Sequence, residues 1–137
     1  MNKIPFFQQK TGNSCGLAVL RMIFGFYGLD LGEKDITKQI QLHSFGTFLT
    51  DLGIIALNRG FKATIYTFHL PLLSSTKIPF GTKITNQILS KIKPSPTDKM
   101  TFTSWQNYLK KRGRINLGLS KTGNFRKVCE KYYSGNN

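Results

Sequence analysis

The residues whose types and spacing suit chemistry are Gln9-Lys10-Thr11-Gly12-Asn13-Ser14-Cys15-Gly16-Leu17-Ala18. A cysteine in the first turn of a helix faces backbone N–H groups that have no partner within the helix, at the positive end of the helix dipole. Both favour negative charge on sulfur, and the thiolate is the nucleophilic form. Gly16 takes a Cβ out of the path of an approaching substrate backbone. Gln9, returning through a turn, is placed to aim its side-chain amide at the point faced by the Cys15 N–H. Two converging donors are what an oxyanion requires. The adjacent Gln8 reads as an exposed turn residue. The same spacing also suits a small buried cysteine entering an apolar helix, the commoner use of a lone thiol.

The elements that must position this stretch follow from periodicity. Pro5 to Asn13 is an extended lead-in and turn. A helix is expected from Ser14 to Phe26, with Asn13 or Ser14 as cap and Gly28 just past its end. Arg21 is its one obvious polar position, so it reads as a central, buried helix. Glu33–Gln41 is a second, amphipathic helix. Gly46-Thr47 opens a third with a Phe48, Leu52, Ile55, Ala56 stripe, and Gly60 falls at its left-handed C-cap. Residues 61–68 alternate as a strand. Further on, helices are expected at 83–92 and 103–111, the latter ended by Gly113. A strand follows at 114–119 and a last short helix at 124–133. Three helices ahead of the first strand make the fold class α+β, a helical layer packed on an antiparallel sheet.

The chain has 137 residues, enough for a single domain with a core, and 39% hydrophobic with 19% charged residues excludes a disordered polyelectrolyte. No apolar run approaches the roughly 20 residues of a membrane span, and the N-terminus lacks a secretory apolar stretch, so a cytoplasmic protein is expected. The charge is the outlier, 20 Lys+Arg against 6 Asp+Glu, a net +14. Residues 1–69 carry seven basic and four acidic side chains, residues 70–137 thirteen and two. Such a balance fits an anionic partner or a solvated basic face. Cys15 and Cys129, with His43 and His69, lack metal-ligand spacing, so neither a metal nor another cofactor is expected.

Gln9 through Gly28, as Gln-x5-Cys-Gly-Leu-Ala-x8-Tyr-Gly, resembles the start of the bacteriocin-processing, double-glycine-leader cysteine peptidases and their stand-alone relatives. Asp35-Ile36 and Gly46 through Phe61 resemble that family's second helix, third helix and entry to the first strand. The resemblance covers residues 4–68, while residues 69–137 are basic and divergent. It implies a papain-like fold, an extended peptide or protein substrate, Cys15 as nucleophile and Gln9 as oxyanion-hole donor, with Gly16 part of the motif.

The family's general base is a strand histidine followed by an orienting Asp or Asn. Here 115–120 resembles the strand before it, and no histidine follows His69. The chain therefore reads as a degenerate member or one truncated before that histidine, a hydrolase by resemblance with weak or no activity. His69, at the end of the first expected strand, is the possible substitute base. His43 and His69 both read more simply as exposed or capping residues. A missing sheet strand leaves an open edge that invites self-association.

Two rivals stand beside this reading. One is a non-enzymatic pseudo-peptidase that holds an extended peptide by edge-strand pairing. The other is a basic nucleic-acid binder using Lys110-Lys111-Arg112-x-Arg114 with Trp105 and Tyr108 as stacking groups. In the latter, Trp105 and Leu109 also suit one packed helix face. Cys129 reads as a half-buried residue of the last helix.

Overall fold

A computed structural model describes residues 3–67 and 81–117. The chain divides into two units, Met1–Phe61 and Lys62–Asn137.

In the first unit α1 (Cys15–Phe26), α2 (Glu33–Thr37) and α3 (Leu49–Asn58) gather around one core. Leu17, Leu20 and Phe24 of α1, Ile36 of α2 and Ile55 of α3 are buried together, with Leu31, Leu52, Ala56 and Phe61 packed around them. The i, i+3, i+7 spacing of the α1 residues places them on one stripe. Its other side is not covered as the composition led one to expect, for Val19 is 53% and Ile23 45% exposed. The helix is apolar all round yet packed on one side.

Glycine ends both long helices of this unit in the same way. Gly28 takes φ +82 and Gly60 φ +85. After α1, the Gly28 N–H donates to Gly25 O and the Leu29 N–H to Phe24 O, at 3.0 and 2.8 Å. After α3, Gly60 and Phe61 repeat the pair onto Leu57 O and Ala56 O at 3.0 and 3.1 Å. These paired bonds satisfy the carbonyls a helix leaves open, and a left-handed residue is needed to make them. The two exits bring aromatic rings together, Phe24 on Phe61 at 5.4 Å and Tyr27 edge-on to Phe61 at 5.2 Å.

In the second unit the order is β1 (Thr64–Thr67), β2 (Lys83–Ile84), α4 (Asn86–Ser90), a 3₁₀ turn (Pro96–Asp98), α5 (Lys99–Lys110) and β3 (Arg114–Leu117). The sheet order is β1-β3-β2. β3 pairs antiparallel with β2 but parallel with β1, so the sheet is mixed where an antiparallel one was expected. β1 and β2 run in opposite directions and β3 lies between them, so it is parallel to one and antiparallel to the other. The long stretch from β1 to β3, with β2, α4 and α5 in it, allows the parallel pairing. Ile65, Ile84, Ile115 and Leu117 form the buried face. α5 contributes Phe102, Ser104 and Tyr108 to the interior of the same unit.

Tyr108 ties this unit together. Its ring is fully buried, and its hydroxyl hydrogen lies between Ala63 O at 3.0 Å and Arg114 O at 3.2 Å, the backbone positions where β1 and β3 begin to pair. Burial pushes the phenol above its ordinary value of 10.0, against a smaller opposing effect of the bond to the Arg114 backbone. With its ring inside, Tyr108 is no stacking group for a nucleic acid, which corrects that part of the expectation.

Among the described residues no helix is long and apolar enough to cross a membrane, and no group of three or more His, Cys, Asp or Glu could hold a metal ion. The expected helix at 124–133, with Cys129, lies outside the described residues, as does His69.

Candidate active site

The turn before α1 is built by Ser14. Its side chain is fully buried, and its Oγ accepts from the Lys10 N–H at 3.1 Å and the Thr11 N–H at 3.0 Å, while the hydroxyl is 3.2 Å from Thr11 O. The serine thus faces back into the lead-in instead of forward over the helix, and α1 begins with no side-chain cap bond. Sequence reasoning had Ser14 or Asn13 as the cap. Asn13 is also taken up elsewhere: its Nδ2 donates to His43 O at 2.8 Å, and its Oδ1 accepts from Thr11 Oγ1 at 2.7 Å.

Cys15 is the first residue of α1 and is exposed. Its side chain therefore stands at the mouth of a helix whose first N–H groups are not covered by a capping oxygen. Backbone N–H groups in such a first turn are free to donate to an incoming acceptor. A structural thiol of the buried kind would sit in the core, and this one does not.

Gln9 is exposed, and its Nε2 donates to Thr11 O at 2.8 Å. That bond ties the amide to the turn leading into Cys15 and uses one of its two N–H hydrogens, leaving the other for an acceptor. The lead-in that carries Gln9 is held on α1 at two points. Pro5 packs where a side chain on Gly25 would go, 2.5 Å from the Cβ position. Phe7 lies under the Arg21 guanidinium, 3.9 Å from ring centroid to Cζ, while Arg21 Nε donates to Leu31 O at 2.9 Å. The single polar position of α1 thus clamps both the lead-in and the segment entering α2. Its isolation among apolar residues was the signal in the sequence.

Gly16 faces α3. A Cβ there would lie 2.5 Å from Thr47 Oγ1 and 2.9 Å from Leu52 Cδ1. The close approach of these two side chains accounts for the glycine by packing alone. The loop ahead of α3 meets the Cys15 turn as well. His43 and Gly46 exchange backbone bonds at 2.9 and 3.0 Å, and Gly46 lies against Asn13 O. The His43 ring stacks on Phe45 at 4.8 Å and 5°, and leans on Phe48 at 5.0 Å. His43 is thus engaged by its backbone with the turn and by its ring with two phenylalanines. Neither Thr47 nor the His43 carbonyl was read from sequence as part of this neighbourhood, because the loop's path sets both contacts.

No curated protein and no solved structure was found to match the chain. A family model described as the Peptidase C39 family matches residues 3–87, from the lead-in through the Cys15 turn to the start of α4. That span is more than half of the chain and contains Gln9, Cys15 and Gly16 in their motif, and by this match the chain belongs to the Peptidase C39 family, the cysteine peptidases of papain-like α+β fold.

Proposed function

We propose that this chain is a cysteine peptidase-like protein of the double-glycine-leader type in which Cys15 is the nucleophile, Gln9 the oxyanion donor, and turnover of peptides is impaired. The observation that carries the reading is the exposed Cys15 sulfur at an uncapped helix start. Thiolate attack on a carbonyl forms a tetrahedral oxyanion, which the Cys15 N–H and the second Gln9 N–H would receive. Collapse to the acyl-enzyme then expels the leaving group. An amine must be protonated as it leaves, a step a general acid typically accelerates by ~10²–10⁴-fold. Among the described residues the one histidine is His43, and its ring is stacked on Phe45 with Phe48 tilted against it. His69 remains the candidate substitute base.

The leaving group therefore separates the steps. A p-nitrophenyl ester releases a phenolate that needs no proton, so Cys15 is expected to acylate with a burst while the matching anilide turns over slowly or not at all. Cys15→Ser should abolish the burst, and Gln9→Ala should slow it by about 10²–10³. An equal burst in Cys15→Ser would end the nucleophile assignment. Anilide turnover lost specifically in His69→Ala would mean a working Cys-His pair. Substrate is expected to be an extended peptide, and Gly16 stays in the motif as the residue whose missing Cβ makes room for Thr47 and Leu52.

The packed His43 ring favours a second reading, the pseudo-peptidase that binds peptide without cleaving it. Here Cys15→Ser would leave peptide binding intact. The outer strands β1 and β2 are its proposed route to peptide pairing and to self-association.

A further inference from the structure

The face of the three-stranded sheet opposite the buried isoleucines carries a pattern that peptide cleavage does not use. Side chains alternate across a strand, so the register that buries Ile65, Ile84, Ile115 and Leu117 sends their neighbours to the other side. Tyr66, Asn116 and Lys83 are register partners and form one row, with Thr64 and Arg114 forming the next. With strands about 4.8 Å apart, the first row spans about 10 Å. Lys83 and Arg114 are exposed, and Tyr66 is 39% exposed. Lys62, also exposed, precedes Thr64 in the same alternation, and the pairing reaches back to it because Ala63 O accepts from the Arg114 N–H at 3.1 Å. Lys110, Lys111 and Arg112, all exposed, lead into Arg114 through Gly113. Across the described residues of this unit there are nine cations and one carboxylate, Asp98, which accepts from Ser95 Oγ.

We infer that this sheet face binds single-stranded nucleic acid, with Tyr66 as the stacking platform and Lys62, Lys83 and Arg114 on the phosphates. Charge complementarity selects a polyanion, and the aromatic ring set in a row with an amide and an ammonium selects one with exposed bases. An acidic peptide would satisfy the cations and leave the ring without a flat partner. A duplex keeps its bases stacked on each other. The inference is independent of the peptidase reading, since none of its residues belongs to the Cys15 turn.

The test uses the full chain and a fluorescein-labelled oligo(dT) of 20 nucleotides, with anisotropy read from 50 to 200 mM NaCl. Binding should weaken linearly on a log–log salt plot. The triple change Lys62→Gln, Lys83→Gln, Arg114→Gln should make the slope shallower by about 2, at ~0.7 for each phosphate no longer neutralised. Removing the same number of charges outside the sheet, by Lys91→Gln, Lys93→Gln and Lys99→Gln, should leave the affinity within about twofold. Tyr66→Leu should weaken binding about tenfold while Tyr66→Phe, which keeps a stacking ring, should not. On the unaltered protein, bound oligonucleotide should protect Lys62 and Lys83 from acetylation but not Lys91, a readout independent of whether any variant folds. Absence of binding at 50 mM salt, equal losses from the two triple variants, or duplex or polyglutamate binding as tight as the single strand would each overturn the proposal.

Discussion

Two close-packed residues decide how the site's immediate surroundings respond to mutation. Ser14 holds two backbone N–H groups on one hydroxyl, so Ser14→Ala leaves both unsatisfied in a closed space. A loss of about 1–3 kcal/mol is expected in urea unfolding, together with a slower Cys15 burst because the Gln9 turn loosens. Gly16→Ala drives a methyl group onto Thr47 and Leu52, and should destabilise by about 1–3 kcal/mol in the same measurement. Of these residues, the motif alone exposed Gln9, Cys15 and Gly16. It could not show that Ser14 faces backward or that Gly16 meets α3. Those facts depend on how a loop thirty residues away in sequence, anchored by the bond from Asn13 to His43 O, returns to the turn.

Between elements, the helix ends carry the lesson. Gly28 and Gly60 were legible because a left-handed C-cap names its residue. α5 ends with the same bond pair, Arg112 N–H to Leu109 O and Gly113 N–H to Tyr108 O, at 3.1 and 3.0 Å. Its left-handed residue is Arg112, at φ 67, and not the glycine expected to end it. Gly113 is required for another reason: a Cβ there would collide with the Tyr108 ring. Arg112→Gly should therefore stabilise by up to about 1 kcal/mol, since the left-handed strain of ~1–2 kcal/mol exceeds glycine's entropy loss of ~0.5–1. Gly113→Ala should instead lower the thermal midpoint. The element boundaries that sequence missed have similar local causes. Thr85 Oγ1 accepts from the Ile88 N–H at 3.3 Å, so the helix starts after it and Lys83-Ile84 is free to be a strand. α2 stops at Thr37, whose hydroxyl bonds back to Glu33 O and Lys34 O, before the expected end at Gln41. Thr103, where that helix was expected to begin, sits inside α5 with its hydroxyl on Lys99 O.

For the molecule as a whole, charge sets the response to solvent. The chain carries a net +14, and the ion pair of Lys38 with Asp35, 3.9 Å apart, is exposed and weak. At so large a net charge salt screens mainly repulsion, so raising NaCl from 20 to 200 mM should increase the thermal midpoint. Alkali acts through Tyr108. Its phenol titrates higher when folded than when unfolded, so its contribution is intact below about pH 10 and declines as pH rises through the folded value. Tyr108→Phe should cost about 1–2 kcal/mol at pH 8, and the difference from the parent protein should shrink at higher pH. The charge balance pointed to an anionic partner or a solvated basic face. It could not show which aromatic faces solvent, since α5 buries Tyr108 with its hydroxyl on the start of the β1–β3 pair, while the sheet register turns Tyr66 away from the buried face.

The parallel partnership of β1 with β3 also imposes an order of assembly. Thr64 and Arg114 are paired although fifty positions separate them, so their meeting must close a long loop. α5, its left-handed exit and β3 are consecutive, and the Tyr108 ring against Gly113 can form as soon as that short stretch collapses. The helix and its following strand are then a prefabricated template, with the phenol already beside Arg114 O and waiting for Ala63 O. On loop length β1 is expected to arrive last, so substitutions in β1 should change the unfolding rate of the second unit more than its refolding rate, which stopped-flow chevrons would read.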